Sequence, residues 1–381
     1  MNPPSQKPRL LLLTHYFPAH RGGVEIVAGQ LAARLVDDFS ISWLAADCDS
    51  PPKIVGLHCQ PQRAWNDLER YGLPWPLWFW QGWKNLSAAI RASDVLHVHD
   101  FIYPSHLVAI FLAAREGKPV LLTQHIGEIA YRNRGLRWLL RAVNRTFGRW
   151  ALASATQVVF ISPRVKREFE KFVDFPRQPL YWPNGVDNRT FFPVDDEARL
   201  LLRKRYDLDL EKPLILFVGR FVERKGLGLL ESMARSRPEW QWCFAGWGPL
   251  DPEAWGIPQV RVWHSLQAEE LAGLYQMADL LILPSYGEGF PLVVQEALAS
   301  GTPVLISEET AAGGPDMPGG VTSIPLDPNK PDAAPWLAAI DRVLVSGGAN
   351  LWRRTVSEAR YSWGWDSLAA QYGNMLKSLM K

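Results

Sequence analysis

Short apolar runs recur along the chain and alternate with segments whose apolar positions return at helical spacing. The first series of runs is RLLLLTHYF (9–17), ISWLAA (41–46), VLHVHD (95–100), PVLLTQH (119–125) and QVVFIS (157–162). The second is LILFVG (214–219), WCFAG (242–246), RVWHS (261–265), LLILPS (280–285) and PVLIS (303–307). Between them lie helix-like segments such as VEIVAGQLAARL (24–35) and AEELAGLYQMA (268–278). The runs are apolar throughout rather than alternating, as in parallel strands covered on both faces. Strands alternating with helices predict an α/β fold, and two series predict two doubly wound, Rossmann-like domains. The turn-rich stretch PNGVDNRTFFP (183–193) is the expected joint.

Composition adds that the chain should pack: of 381 residues, 47% are hydrophobic and 21% charged. Three widely spaced cysteines, Cys48, Cys59 and Cys243, form neither a metal-ligand pattern nor a disulfide framework. A reducing cytoplasm is therefore the expected setting. The basic residues near the N-terminus precede only four leucines, too few for a signal sequence. No run approaches the roughly 20 apolar residues of a membrane span. Charge is uneven. Residues 1–187 hold 22 Lys+Arg against 15 Asp+Glu, and residues 188–381 hold 19 against 24. The split is either ordinary scatter or the mark of an anionic partner for the first half.

In doubly wound sheets, ligands bind beyond the C-terminal ends of strands. That rule singles out Gly22 and Gly23, Asp100, His125, Gly219 and Arg220, Gly246 to Gly248, and Gly287 to Gly289. With two such domains facing each other, the expected ligand lies in the cleft between them. In VGRFVERKG (218–226), Gly219 permits a tight turn, and Arg220 and Lys225 suit a diphosphate as a planar fork and a point charge. A solvated loop is the plainer alternative. Neither the P-loop spacing nor the dinucleotide fingerprint is present. In FAGWGPL (244–250), Gly246 and Gly248 would let the backbone approach a ligand.

The stretch GEGFPLVVQEALASG (287–301) is richer. Pro291 fits a first helical turn and Gly301 a C-terminal cap. Glu288 and Gly289 then precede a helix N-terminus, whose N–H groups and dipole suit a phosphate. Glu296 falls roughly 7–8 Å further along the helix axis. That spacing is awkward for two carboxylates flanking one reacting bond. It suits a long ligand with a sugar near Glu288, a diphosphate at the helix tip and a ribose near Glu296. His125 ends a strand and would face the cleft. His97 and His99 share one sheet face, but with no clear third ligand they read as packing and no metal site is expected.

The segments GGVE (22–25), TQH (123–125), PNGVD (183–187), GRFVERKG (219–226), FAGWGP (244–249) and EGFPLVVQEALASGTPV (288–304) closely resemble the family 4 retaining glycosyltransferases of GT-B fold. The resemblance runs over nearly the whole chain in order. The block with two glutamates around Gly-Phe-Pro is its most specific part. It implies an acceptor-side domain over 1–187, a nucleotide-sugar domain over 188–360, and a last helix (361–381) crossing back onto the first domain.

By the same resemblance, Arg220 and Lys225 bind the donor diphosphate and stabilise its departure. Gly219, Gly246 and Gly248 belong to the donor-binding loops, and Gly289, Phe290, Pro291 and Leu292 hold the sugar and phosphate. Glu288 binds sugar hydroxyls, Glu296 the ribose, and His125 approaches the sugar. Gly22 and Gly23 form a loop near diphosphate and acceptor. The family uses a nucleotide sugar as co-substrate without a bound metal or other cofactor, so these cations and the helix dipole take the metal's place. Two departures stand out. Trp247 occupies the middle of GWGP, where a small or polar residue is commoner, and RVWHSLQAEEL (261–271) lacks the usual glycine.

Residues 131–150 contain six arginines and no acid. At helical spacing, Leu136, Leu139, Leu140, Val143, Phe147 and Trp150 would share one face, with Arg137, Arg141, Arg145 and Arg149 opposite. An anionic membrane or acceptor is the expected contact, with an ordinary amphipathic surface helix as the alternative. Trp78 and Trp80 in the Trp-rich stretch 70–83 could add to it. Nucleic acid is disfavoured, because the basic stripe is short and no nucleic-acid motif appears. The expectation is a cytoplasmic enzyme, peripheral at the inner membrane face, moving a sugar from a UDP- or GDP-sugar to a glycan or lipid-linked acceptor. A sugar-nucleotide epimerase of the same fold and a non-catalytic sugar-nucleotide-binding subunit are the alternatives.

Overall fold

In the computed structural model, residues 7–20, 22–67, 69, 75–127, 134–288, 290–314, 320–345 and 364–381 are described. The side chains of residues 134, 136, 137 and 139 stand outside that description. The chain divides into two units, Met1–Asn184 with Trp365–Lys381, and Gly185–Gly364.

The first unit is built on a parallel sheet in the order β3-β2-β1-β6-β7-β8-β9. Its strands are β1 (Arg9–Leu13), β2 (Ser40–Ala46), β3 (Leu57–Gln62), β6 (Val95–His99), β7 (Val120–Gln124), β8 (Gln157–Phe160) and β9 (Leu180–Tyr181). A small antiparallel pair, β4 (Ala64–Trp65) and β5 (Leu77–Trp78), stands apart. Central strands are buried along their length: all five residues of β6 and of β7 are inaccessible. Helices α1 (Gly23–Leu35), α2 (Trp80–Ala92), α3 (Pro104–Arg115), α4 (Arg134–Val143), α5 (Arg149–Ser154) and α6 (Pro163–Glu170) supply the crossovers. Their starts follow local chemistry. Pro104 and Pro163 open α3 and α6, where the missing N–H is harmless, and the Ser162 side chain caps α6.

The second unit repeats the plan, with β10 (Leu214–Arg220), β11 (Gln241–Trp247), β12 (Val260–Trp263), β13 (Leu280–Leu283), β14 (Val304–Ser307) and β15 (Val321–Ile324). Its order is β12-β11-β10-β13-β14-β15, all parallel. The helices are α7 (Asp196–Arg205), α8 (Leu227–Ser236), α9 (Ala268–Met277), α10 (Leu292–Ala299), α11 (Glu308–Ala311) and α12 (Ala334–Val345). Both sheets reverse direction of travel beside their first strand, between β1 and β6 and between β10 and β13. These are the switch points where Rossmann-like sheets place ligands.

A final helix, Trp365–Leu379, belongs to the first unit. Arg34 on α1 pairs with Asp366 at 2.6 Å, and Lys377 pairs with Asp38 at 3.0 Å. Tyr372 is fully buried, with its hydroxyl 3.3 Å from the Thr123 hydroxyl and its ring against Trp182.

Candidate active site

At the end of β10 the chain makes a short 3-10 turn, Glu223–Lys225, and enters α8 through Gly226. Gly226 has φ +78°, and a Cβ there would collide with the Pro284 carbonyl, so only glycine lets the two segments meet. The turn carries Lys225 into a buried position, where its Nζ lies 2.9 Å from Glu288 Oε1. Arg224 reaches the same oxygen at 3.3 Å. Burial would raise the Glu288 carboxyl, but Lys225 and Arg224 outweigh it and hold the group below its ordinary value. Thus Lys225 and Glu288, given separate roles on the sequence, stand as one ion pair. Arg220 is exposed at the tip of β10 and stacks over Trp247, with Cζ 4.5 Å from the ring centroid.

Pro291 is the N-cap of α10, which starts at Leu292, one position later than the spacing predicts. Among the described residues, no side chain caps this N-terminus, so its first N–H groups have no side-chain acceptor there. Phe290 is buried and Gly301 adopts φ +81° just past the helix, ending it. Gly289 lies outside the described residues. Glu296 is half-buried on α10 and accepts a hydrogen bond of 3.0 Å from the Tyr275 hydroxyl. Burial pushes its carboxyl up to about 7. Gly246 and Gly248 do permit a close approach, but of the chain to itself. A Cβ on Gly246 would strike the Gly219 carbonyl, and one on Gly248 would strike Phe221.

In the first unit, Gly22 is the N-cap of α1 and Gly23 its first residue. The Glu25 carboxylate folds back over Gly22, which therefore has no room for a side chain. Glu25 Oε1 lies 2.8 Å from His15 Nε2, and both residues are buried. Burial would raise the Glu25 carboxyl, but the His15 ring holds it below its ordinary value. His125 is also buried, with its Nε2 2.9 Å from His99 Nδ1. Asp100, at φ +62°, accepts hydrogen bonds from the backbone N–H of His125 at 2.7 Å and of Ile126 at 3.2 Å. Burial pushes His97 and His125 down to about 3 and His106 to about 4, so these rings are neutral at physiological pH. His97 bonds to Thr123 and His99 to His125, so the pair is committed to packing contacts. Sequence reasoning placed Asp100 at a strand end without a role, and gave Glu25 none. The positive φ of Asp100 has no sequence signal, and the fold of Glu25 onto Gly22 depends on His15.

The family description Glycosyltransferase Family 4 matches residues 21–189, and Glycosyl transferases group 1 matches residues 212–345. The chain belongs to the family 4, group 1 glycosyltransferases. Within the family it is 26% identical over 408 aligned positions to the GDP-mannose-dependent alpha-(1-6)-phosphatidylinositol monomannoside mannosyltransferase of Mycobacterium tuberculosis, covering 97% of this chain and 98% of that one. It is 30% identical over 207 residues to the putative teichuronic acid biosynthesis glycosyltransferase TuaC of Bacillus subtilis. That match covers 54% of this chain and spans about half, 51%, of that relative's length. The fold matches sucrose-phosphate synthase from Thermosynechococcus elongatus with a TM-score of 0.76 at 20% identity, over 98% and 99% of the two chains. Anabaena HepE in complex with UDP-glucose matches with a TM-score of 0.70 at 14% identity, over 97% and 99%. Both units are therefore Rossmann-like halves of the GT-B fold.

The proposed membrane or acceptor contacts divide. Trp78 is packed in the core of the first unit, because alternate residues of β5 face opposite ways and Leu77 takes the exposed side. Trp80 is 72% exposed, with Lys84 against its ring. Along 134–154 the single apolar face does not persist. A π-helical turn, Asn144–Gly148, widens the helix locally and rotates the segment after it. Leu140 is buried, whereas Phe147 and Trp150 emerge on the surface beside exposed Arg141, Arg145 and Arg149. Arg149 pairs with Asp174 at 2.8 Å. The Arg137 side chain lies outside the described ones.

Proposed function

We propose that this protein is a retaining, metal-independent glycosyltransferase that moves a hexose from a nucleoside-diphosphate donor to a glycan or lipid-linked acceptor. The observation that carries the reading is the Lys225–Glu288 pair at 2.9 Å, which stands between the β10 strand end and the segment leading into α10. It joins a cation suited to phosphate with a carboxylate suited to sugar hydroxyls. In this reading the bond from the anomeric carbon to the β-phosphate oxygen breaks, and its electron pair stays on the phosphate. Lys225, Arg220 and the first N–H groups of α10 neutralise that charge. The acceptor hydroxyl forms the new bond on the same face of the sugar, and its proton passes to the departing phosphate. Glu288 holds the sugar and Glu296 the ribose. Gly22 and Gly23 lie at the N-terminus of α1, open to a ligand group at Gly23.

The acceptor side is read from the surface of the first unit. Phe79, Trp80, Phe111, Trp138, Phe147 and Trp150 are exposed on β5-linked chain and on α2 to α5, with basic residues among them. Phe111 and Trp150 lie side by side, their centroids 6.5 Å apart. Aromatic and basic side chains together fit the headgroup region of an anionic bilayer. Among the described residues, no helix is long and apolar enough to cross a membrane. The catalytic reading is tested with the purified chain and a panel of UDP-, GDP- and ADP-sugars, following release of the nucleoside diphosphate with EDTA present. Turnover with one donor, lost in Arg220→Ala and retaining the anomeric configuration by NMR, is the expected result. Inversion at the anomeric carbon, or turnover that EDTA abolishes, would overturn the corresponding part. For the surface, co-sedimentation with anionic but not zwitterionic vesicles at low salt is expected.

A further inference from the structure

We propose that Trp247 is a positioning residue that holds the Arg220 guanidinium flat and aims its N–H edge at the diphosphate of the donor. The inference rests on the reading of Arg220 as a diphosphate contact. Residues Arg220 and Trp247 are opposite each other in the β10–β11 register, and both are the last residues of their strands. Neighbours in a parallel pair point to the same side, so the two side chains stand together. Gly219 and Gly246, the pair just before them, bring the strand ends close enough that no Cβ fits at Gly246. The backbone around Trp247 is pinned: Phe221 donates to its carbonyl at 2.7 Å, and His264 Nδ1 donates to the Gly246 carbonyl at 2.9 Å.

Trp247 itself is 41% exposed, so core packing does not explain its ring. What the ring covers is one face of Arg220, at 4.5 Å. A guanidinium keeps all its donors in its own plane. A ring on one face therefore does not compete for the N–H groups at the edge, and it removes freedom from the long side chain. That is the presentation a bidentate phosphate contact needs. The alternative role for an exposed tryptophan here is to stack directly on the nucleobase, and binding measurements separate the two.

The experiment is calorimetric titration of UDP, GDP and ADP, and of uridine, guanosine and adenosine, into wild type, Trp247→Ala, Trp247→Phe, Arg220→Ala and the double variant Trp247→Ala/Arg220→Ala. Positioning predicts a roughly two- to fivefold weaker nucleoside diphosphate in Trp247→Ala, the scale of an exposed cation–π contact. Trp247→Phe restores most of it, nucleoside affinity is unchanged, and the loss disappears in the Arg220→Ala background. A loss that persists in that background, or that falls equally on the nucleoside, overturns positioning in favour of base stacking. No loss in Trp247→Ala also overturns it. If Arg220→Ala alone leaves nucleoside diphosphate affinity unchanged, or wild type binds none of the three, the diphosphate reading of Arg220 fails first and the inference goes with it. Thermal unfolding of each variant checks that the strand ends are intact.

Discussion

Around the switch point of its sheet the first unit gathers buried imidazoles, His97, His99, His106 and His125, while the second gathers Arg220, Arg224 and Lys225. Their surroundings differ. The imidazoles lie where burial outweighs every other influence and keeps the proton off. In the second unit Arg220 and Arg224 are exposed, and Lys225 pairs with the Glu288 carboxylate. The same kind of switch point thus gathers buried imidazoles near the Glu25 carboxylate in one unit and Arg220, Arg224 and Lys225 in the other. In the proposed reading, the anionic part of the donor sits on the cations of the second.

The largest effect should come from removing that charge. Lys225→Met keeps an apolar stem but should weaken nucleoside diphosphate binding about 10- to 100-fold, the value of a charge-assisted contact. A change under twofold in calorimetry would erase the contrast between the units. Next, Glu288→Gln keeps the shape and removes the counter-charge. Nucleoside diphosphate affinity should hold or rise, while sugar transfer falls by roughly tenfold or more; a matched loss of both would make Glu288 a structural partner of Lys225 only. Smaller again is the acid response of the first unit. His97 keeps its pKa near 3 when folded against an ordinary 6.5 unfolded, so the unfolded chain binds more protons between these values. Stability should fall as pH drops from 6.5 towards 3, and His97→Asn should flatten that fall in urea titrations.

The smallest effect has the opposite sign. The Glu296 carboxyl keeps its proton to about pH 7 when folded, against 4.5 in the ordinary state. Between those values the native state binds more protons, so stability should decline as pH rises through the window. Glu296→Gln, neutral throughout, should remove the decline. An unchanged slope would show that the Tyr275 contact, and not the ionisation, governs this position.

Much of the fold was legible because central parallel strands write themselves as unbroken apolar runs. Leu10 to Leu13, Val95 to His99 and Leu280 to Leu283 were each visible this way. Edge strands were read unevenly: the β12 edge was seen as RVWHS, and β3 was missed. LHCQPQ in β3 is half-exposed, polar and contains Pro61, so nothing in its pattern separates it from loop. The helical phase over 131–150 was read at one uniform spacing and lost at the π-turn, whose closest sequence clue is Gly148 packed against Phe101. Around the site, the Gly301 cap and, to within one residue, the α10 start were legible from local rules. The Lys225–Glu288 pair and the Asp100 carboxylate under the His125 backbone were not, because each joins segments far apart in sequence.

The helix Trp365–Leu379 makes the first unit discontinuous in sequence, whereas Gly185–Gly364 is one uninterrupted stretch. During synthesis the ribosome therefore delivers all of the second unit before the first has its full set of parts. Until Tyr372 arrives, the hydroxyl of Thr123 lacks that partner, and the α1 face around Leu35 lacks the cover that Gly373 brings against it. The order of completion is then the reverse of the order of translation, and a nascent chain halted before residue 365 would display an open, apolar flank for holding factors to occupy.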